Sequence, residues 1–242
     1  MAFDRYNSLS KAVLVVGLVG LAMLPVGALG AKFGLWHFGR GFQLLYTGTF
    51  VSAAVAVLGI AMLAFALSAG RKDAALPTCI GVAAAIVALA VTGWQYRLTT
   101  IAPVLNDVTT DLADPPAFAA LAQRGGEPLV YDPEKSETQQ RGYPDIETVR
   151  SALAPEAALE RAVALARETG WDVVASGPRG GALTVEAVAT TFWFGFIDDV
   201  VVRIRPDGSG SLVDIRSASR VGRSDLGANA RRIDAFIARF GE

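Results

Sequence analysis

The hydrophobic pattern divides the chain in two. Three runs, residues 12–31, 41–70 and 74–96, contain no Asp, Glu, Lys or Arg. Each is long enough to cross a hydrocarbon core, which takes about 20 apolar residues in a helix. After residue 97 apolar positions recur only at strand or helix spacing. The pattern predicts a transmembrane region over 1–96, with helices at about 12–31, 43–69 and 74–96, followed by a soluble domain over 97–242. Helices buried in a large soluble protein are the competing reading, but buried core helices are usually shorter than these runs. A cleaved signal peptide competes for the first run, with Arg5 and Lys11 as its basic start and the small residues 27–31 as its cleavage site. Two more spans follow, and Pro25 and the glycines suit a membrane helix, so an uncleaved first span is expected.

Periodicity also lays out the soluble domain. Residues 155–169 predict a helix: Pro155 suits its first turn, Leu159, Ala162, Val163 and Ala166 form an apolar stripe, and Gly170 fits the position past its end. Strands are expected at 171–176, 182–191, 199–205 and 211–217. The segment PDGSG at 206–210 is a strong hairpin signal. Centring the turn on Gly208 and Ser209 puts Ile204 opposite Val213 and Val202 opposite Ile215. On the other face it puts Arg203 opposite Asp214 and Arg205 opposite Leu212. This register sorts apolar from charged on both strands at once. An exposed Arg203–Asp214 pair would contribute only about 0.2–1 kcal/mol.

The last element is a helix from about 225 to 240, capped by Ser224 or Asp225. Leu226, Asn229, Ala230, Ile233, Phe236, Ile237 and Phe240 form its sheet-facing stripe, so Asn229 must find partners. Residues 99–116 read as an extended lead-in, because Pro103, Pro115 and Pro116 discourage helix. Residues 127–143 read as a polar loop. The fold class is an N-terminal three-helix transmembrane bundle plus a C-terminal α+β domain, its antiparallel sheet of about four strands carrying helices on one face.

Composition sharpens this layout. Only 19% of residues are charged, against about a quarter in typical soluble chains. Residues 97–202 hold eight basic and sixteen acidic residues, and residues 203–242 hold eight basic and five acidic. The domain has a single lysine, Lys135, so its positive charge is almost all arginine, whose planar fork suits carboxylate and phosphate. The one cysteine, Cys79, permits no intramolecular disulfide and names no compartment. The one histidine, His37, lies in the first loop, which excludes a Ser-His-Asp, Cys-His or multi-histidine zinc site in the soluble domain. With the N-terminus inside, cytoplasmic flanks carry Arg5, Lys11, Arg71 and Lys72, and outer flanks carry Lys32, Arg40 and Arg97. That bias favours an N-terminus inside and a C-terminal domain outside. Trp36, Tyr46, Trp94 and Tyr96 sit near predicted helix ends, where amphipathic rings prefer the interface.

Candidate chemistry concentrates in one run, DIRSASRVGRSDLGANARRI at 214–233, with five arginines against Asp214 and Asp225. This run, NDVTTD (106–111) with DPP (114–116), YPD (143–145), GW (170–171) and FIDDV (196–200) leading to Arg203 resemble an uncharacterised family of bacterial and chloroplast proteins, domain of unknown function 1499. The resemblance covers most of residues 104–240. It strengthens the domain assignment and implies no activity.

Three readings of the run stay open. In a structural reading Arg216, Ser217, Ser219, Arg220 and Asp225 tie the last strand to the last helix, Asn229 bonds the 106–111 segment that includes Asp111, and Asp198 and Asp199 pair with arginines. In a binding reading the stretch 219–225, with Arg220, Gly222 and Arg223, presents a helix N-terminus to a phosphate, carboxylate, lipid headgroup or acidic partner segment, although Asp225 itself competes for that position. In a hydrolase-like reading Asp198, Asp199, Asp214, Asp225 and Glu186 supply acid–base pairs or a metal site. Phe192, Trp193, Phe194 and Phe196 pack in the core, line a pocket or lean on the membrane. The expectation is an envelope protein of a bacterial inner membrane with a periplasmic C-terminal binding domain, an accessory subunit of a membrane complex whose partners are the bilayer and a membrane protein or lipid headgroup. No nucleic acid, cofactor, metal ligand or catalytic residue is assigned.

Overall fold

A computed structural model describes residues 2–122 and 130–241. Three long helices come first: α1 (Ala2–Lys32), α2 (Phe38–Ser68) and α3 (Lys72–Ile101). All three are long and apolar enough to cross a membrane. They extend past the charge-free runs, because a helix continues through its polar ends once its backbone bonds are formed. Large apolar side chains such as Phe50, Val57 and Leu58 point outward, as lipid-facing positions require. The inner faces carry small residues. A Cβ on Gly27 would come within 2.7 Å of the Gly41 carbonyl, and one on Gly41 within 2.6 Å of that of Gly27. Such close backbone approach between α1 and α2 is how membrane helices associate without a hydrophobic driving force.

The chain forms two compact units. One comprises residues 1–97 with 192–195, and the other comprises 98–191 with 196–242. The second contains strands β1 (Asp107–Thr109), β2 (Val149–Ser151), β3 (Asp172–Arg179), β4 (Ala182–Thr190), β5 (Ile197–Asp207) and β6 (Gly210–Ser219). Its helices are α4 (Ser136–Gly142), α5 (Pro155–Glu168) and α6 (Ala228–Phe240), with a 3-10 turn at Pro133–Lys135.

The antiparallel sheet has six strands rather than about four, in the order β1-β6-β5-β4-β3, with β2 also on β6. The two strands missed from sequence are three residues each, too short to show alternation. They pair end to end along the outer edge of β6, β1 with 216–218 and β2 with 211–213. That edge would otherwise expose unpaired N–H and C=O groups. The predicted hairpin register is the observed one: Arg203 opposes Asp214, Ile204 opposes Val213 and Val202 opposes Ile215.

One sheet face carries α5 and α6. Val185, Ala187, Val200, Val202, Ile204, Val213 and Ile215 pack there against Ala162, Leu165, Ala166, Ile233 and Phe236. Trp171 stacks on Phe236 at 5.5 Å. The opposite face carries a smaller apolar cluster, Phe118, Leu121, Val201 and Ala218, set among charged side chains. Two further expectations need correction. The predicted loop 127–143 contains the 3-10 turn and α4, and its first residues lie outside the described residues. Helix α6 starts at Ala228, not 225, because Leu226 and Gly227 both adopt positive φ, 56° and 78°.

Candidate functional site

Strand alternation decides where the arginine-rich run goes. Successive side chains of a strand point to opposite faces. Asp214, Arg216, Ala218 and Arg220 therefore share the face away from α5 and α6, while Ile215, Ser217 and Ser219 share the face beneath α6. The candidate residues consequently separate into distinct clusters instead of one site.

Beneath α6, the buried Asn229 side chain donates to Ser219 Oγ at 3.0 Å and to the Asn106 carbonyl at 3.2 Å. Its Oδ1 accepts from Ser217 Oγ at 2.6 Å and from Arg232. Arg232 also donates to Asp198 at 2.6 Å. Asp225 lies beside this group. Its carboxylate accepts from the Gly227 and Asn229 backbone N–H groups at 2.7 and 2.8 Å. Burial outweighs these donors and pushes its pKa above the ordinary value. The start of α6 is thus already occupied by an acidic side chain, as a helix N-terminus favours.

On the opposite face, Arg216 is buried and forks onto Asp107, with Nε to Oδ1 at 2.9 Å and Nη2 to Oδ2 at 2.7 Å. Nη1 donates to the Pro116 carbonyl. Its guanidinium lies over the rings of Phe118 and Tyr131, at 4.9 and 5.4 Å. Arg216 does not tie β6 to α6, because its position in the strand sends it the other way.

Toward the β5–β6 turn, Arg203 donates to Asp214 at 3.0 Å, to Asp111 at 3.0 Å and to Asp114 at 2.7 Å. Arg205 donates to Asp111 at 3.1 Å and Asp214 at 2.7 Å, and Thr148 donates to the second Asp214 oxygen at 2.6 Å. The Arg203–Asp214 pair is not the exposed pair of the sequence estimate: the side chains are 12% and 0% exposed. A cleft of about 240 Å³ opens beside it, lined in part by Asp114, Arg179, Thr184 and Arg203.

At the other end of β6, Arg220 forks onto Asp199, with Nη2 to Oδ1 at 2.7 Å. The carboxylate raises the Arg220 pKa further above its ordinary value. Arg223 is exposed. It makes no hydrogen bond or ion pair among the described residues.

Sequence reasoning missed Asp107, Asp114, Arg205 and Thr148 as members of these clusters, and it left Arg232 without a partner. It also missed the role of Glu186. This buried carboxylate accepts from the backbone N–H groups of Ala119, Ala120 and Leu121 at 2.8–3.1 Å. The signal was present: a lone acidic residue within the apolar stretch 185–189 must find donors inside the protein.

The carboxylates of the hydrolase-like reading are all engaged. Asp198, Asp199 and Asp214 accept from arginines, Asp225 from a helix start, and Glu186 from a backbone turn. Among the described residues no group of three or more His, Cys, Asp or Glu is arranged to hold a metal ion. A family model described as a protein of unknown function (DUF1499) matches residues 107–240. Among curated proteins and among solved structures, no match was found.

Proposed function

Since the chain belongs to the DUF1499 family, which is defined without an activity, we propose that it is a membrane-anchored binding protein rather than an enzyme. In this reading it sits in a bacterial inner membrane with its C-terminal domain on the periplasmic side. The domain holds an acidic partner segment or an anionic lipid headgroup, as an accessory subunit of a membrane complex.

The observation that carries the reading is Arg223. Arg216, Arg220, Arg231 and Arg232, the other arginines of the run, all bond within the protein. Among the described residues Arg223 alone of the run's arginines makes no hydrogen bond or ion pair, and it lies exposed beside the exposed Val221 and the positive-φ Gly222. An exposed, unpaired guanidinium beside an apolar side chain suits recognition of a carboxylate or phosphate. The hydrolase-like alternative is disfavoured because its carboxylates already have donors.

The test is purification of the full chain in mild detergent, with mass spectrometry of co-purifying proteins and lipids, repeated for R223A. The expected result is a ligand held by the native chain and lost by a folded R223A variant. A clean, ligand-free native protein would overturn the reading. A reporter fused after Glu242 that is active only in the cytoplasm would overturn the periplasmic placement.

A further inference from the structure

We propose that residues 192–195, in the β4–β5 connection, are a second membrane anchor that seats in the phospholipid headgroup layer. The inference rests only on the membrane-anchored part of the reading above. It is independent of what Arg223 binds and of which side the domain occupies.

The connection is compositionally odd for a strand-to-strand loop, reading Phe-Trp-Phe-Gly. Phe192 and Trp193 are 71% and 53% exposed. They meet edge-on at 5.2 Å, so they form one patch. Adjacent exposed aromatics on a soluble hairpin invite association, and an interfacial location removes that liability.

The contacts of the connection fix its level. It belongs to the same compact unit as the three apolar helices. Lys32 ends the first candidate span. Its ammonium donates to the Phe192 carbonyl at 2.8 Å and lies 4.8 Å from the Phe192 ring. The second candidate span begins at Phe38, and Phe42, in its first turns, packs on Phe194 at 4.8 Å. The aromatic patch is therefore level with the ends of α1 and α2. Exposed Phe33 and Leu35 occupy the same helix connection. Tryptophan prefers that depth, where its ring is in apolar surroundings and its N–H is wet, and the Phe192 ring adds apolar surface beside it. Lys32 and the exposed Arg40 supply cationic neighbours for lipid phosphates. Gly195 lets the chain turn there: its φ is +69°, and a Cβ would meet Lys32 Cγ at 3.0 Å.

The occupant is accordingly the bilayer interface itself. The test uses the full chain in vesicles of phosphatidylcholine and phosphatidylglycerol. Cys79 is replaced (C79S), and an environment-sensitive label is placed in separate variants at F192C, at W193C and, as a control, at S209C in the β5–β6 turn. Each labelled position leaves the other aromatic in place, and variants are compared only if they melt like C79S. The expected result is a blue-shifted label at 192 and 193, quenched by a headgroup-level lipid quencher, with most of its iodide quenching lost relative to 209. Iodide quenching at 192 and 193 equal to that at 209 would overturn the proposal. Shielding from both quenchers would also overturn it, in favour of a protein that covers the patch. Either result leaves the Arg223 co-purification test standing, and failure of that test leaves this one standing.

Discussion

Arg220 holds Asp199 with two nitrogens, and the two side chains differ in exposure: 23% for the arginine and 2% for the aspartate. The guanidinium forms a lid on a buried carboxylate. Arg223, three residues on, has no such role.

These two arginines should therefore part company in a melt. R220A leaves Asp199 buried without its counter-charge, and breaking such a pair by removing one partner typically costs about 3–5 kcal/mol. R223A removes an exposed, unpaired side chain and should stay within about 0.5 kcal/mol of the native chain. Denaturant titration of the two variants checks this. Equal losses would mean that Arg223 carries structure too.

The buried pair Arg216–Asp107 should show strong coupling. R216M alone strands Asp107 and should cost about 3–5 kcal/mol. The double variant R216M/D107L removes both charges and should cost less than the two single changes summed, with a coupling of about 0.5–3 kcal/mol. A double-mutant cycle on unfolding free energies measures it, and additive losses would contradict the geometry.

Glu186 organises the segment that covers the charged sheet face. In E186Q one acceptor oxygen becomes an NH₂ group that confronts a backbone N–H. The loss of a hydrogen bond to a charged group should cost about 1.5–3 kcal/mol. Hydrogen exchange at Ala119, Ala120 and Leu121 should speed up more than exchange in β5 and β6. Uniform acceleration would mean that Glu186 supports the whole sheet instead.

Asp225 should give stability a defined pH dependence. Its folded-state pKa lies above the ordinary 3.8 because burial disfavours the charged form. Above pH 3.8 the unfolded chain releases this proton before the folded chain does. The folded state then binds more protons, so the Asp225 contribution to stability falls as pH rises toward the folded pKa. D225N removes the titration. The difference in melting temperature, native minus D225N, should be level below pH 3.8, decline above it, and level off again once the folded carboxyl ionises. A flat difference throughout would show that Asp225 titrates as it does in the unfolded chain.

Much of the architecture follows from local pattern. Charge-free runs of twenty or more residues predict helices long and apolar enough to span a membrane, because about 20 apolar residues in a helix match a hydrocarbon core. The hairpin register follows from PDGSG and alternation alone, since any slip would turn Arg203 or Asp214 into the core. Burial of Asn229 follows from its place on an apolar stripe. These inferences succeed because each rests on neighbours within a few residues.

The partners of the arginines did not follow, because they lie far apart in sequence. Arg216 meets Asp107, and Arg203 meets Asp111 and Asp114, across about a hundred residues. A strand of three residues, β1, and the chain that follows it bring those carboxylates to β6, and three residues carry no readable period. The exposure of Phe192 and Trp193 was equally hidden, since an aromatic cluster reads the same in a core as at an interface. The long apolar helices, the hairpin and the helix stripes could be read from the chain directly, because their hydrophobic period is local. The division of the arginine run across two faces of a sheet emerges only in the folded chain, because pairing and side-chain direction are set by which distant strands lie beside β6.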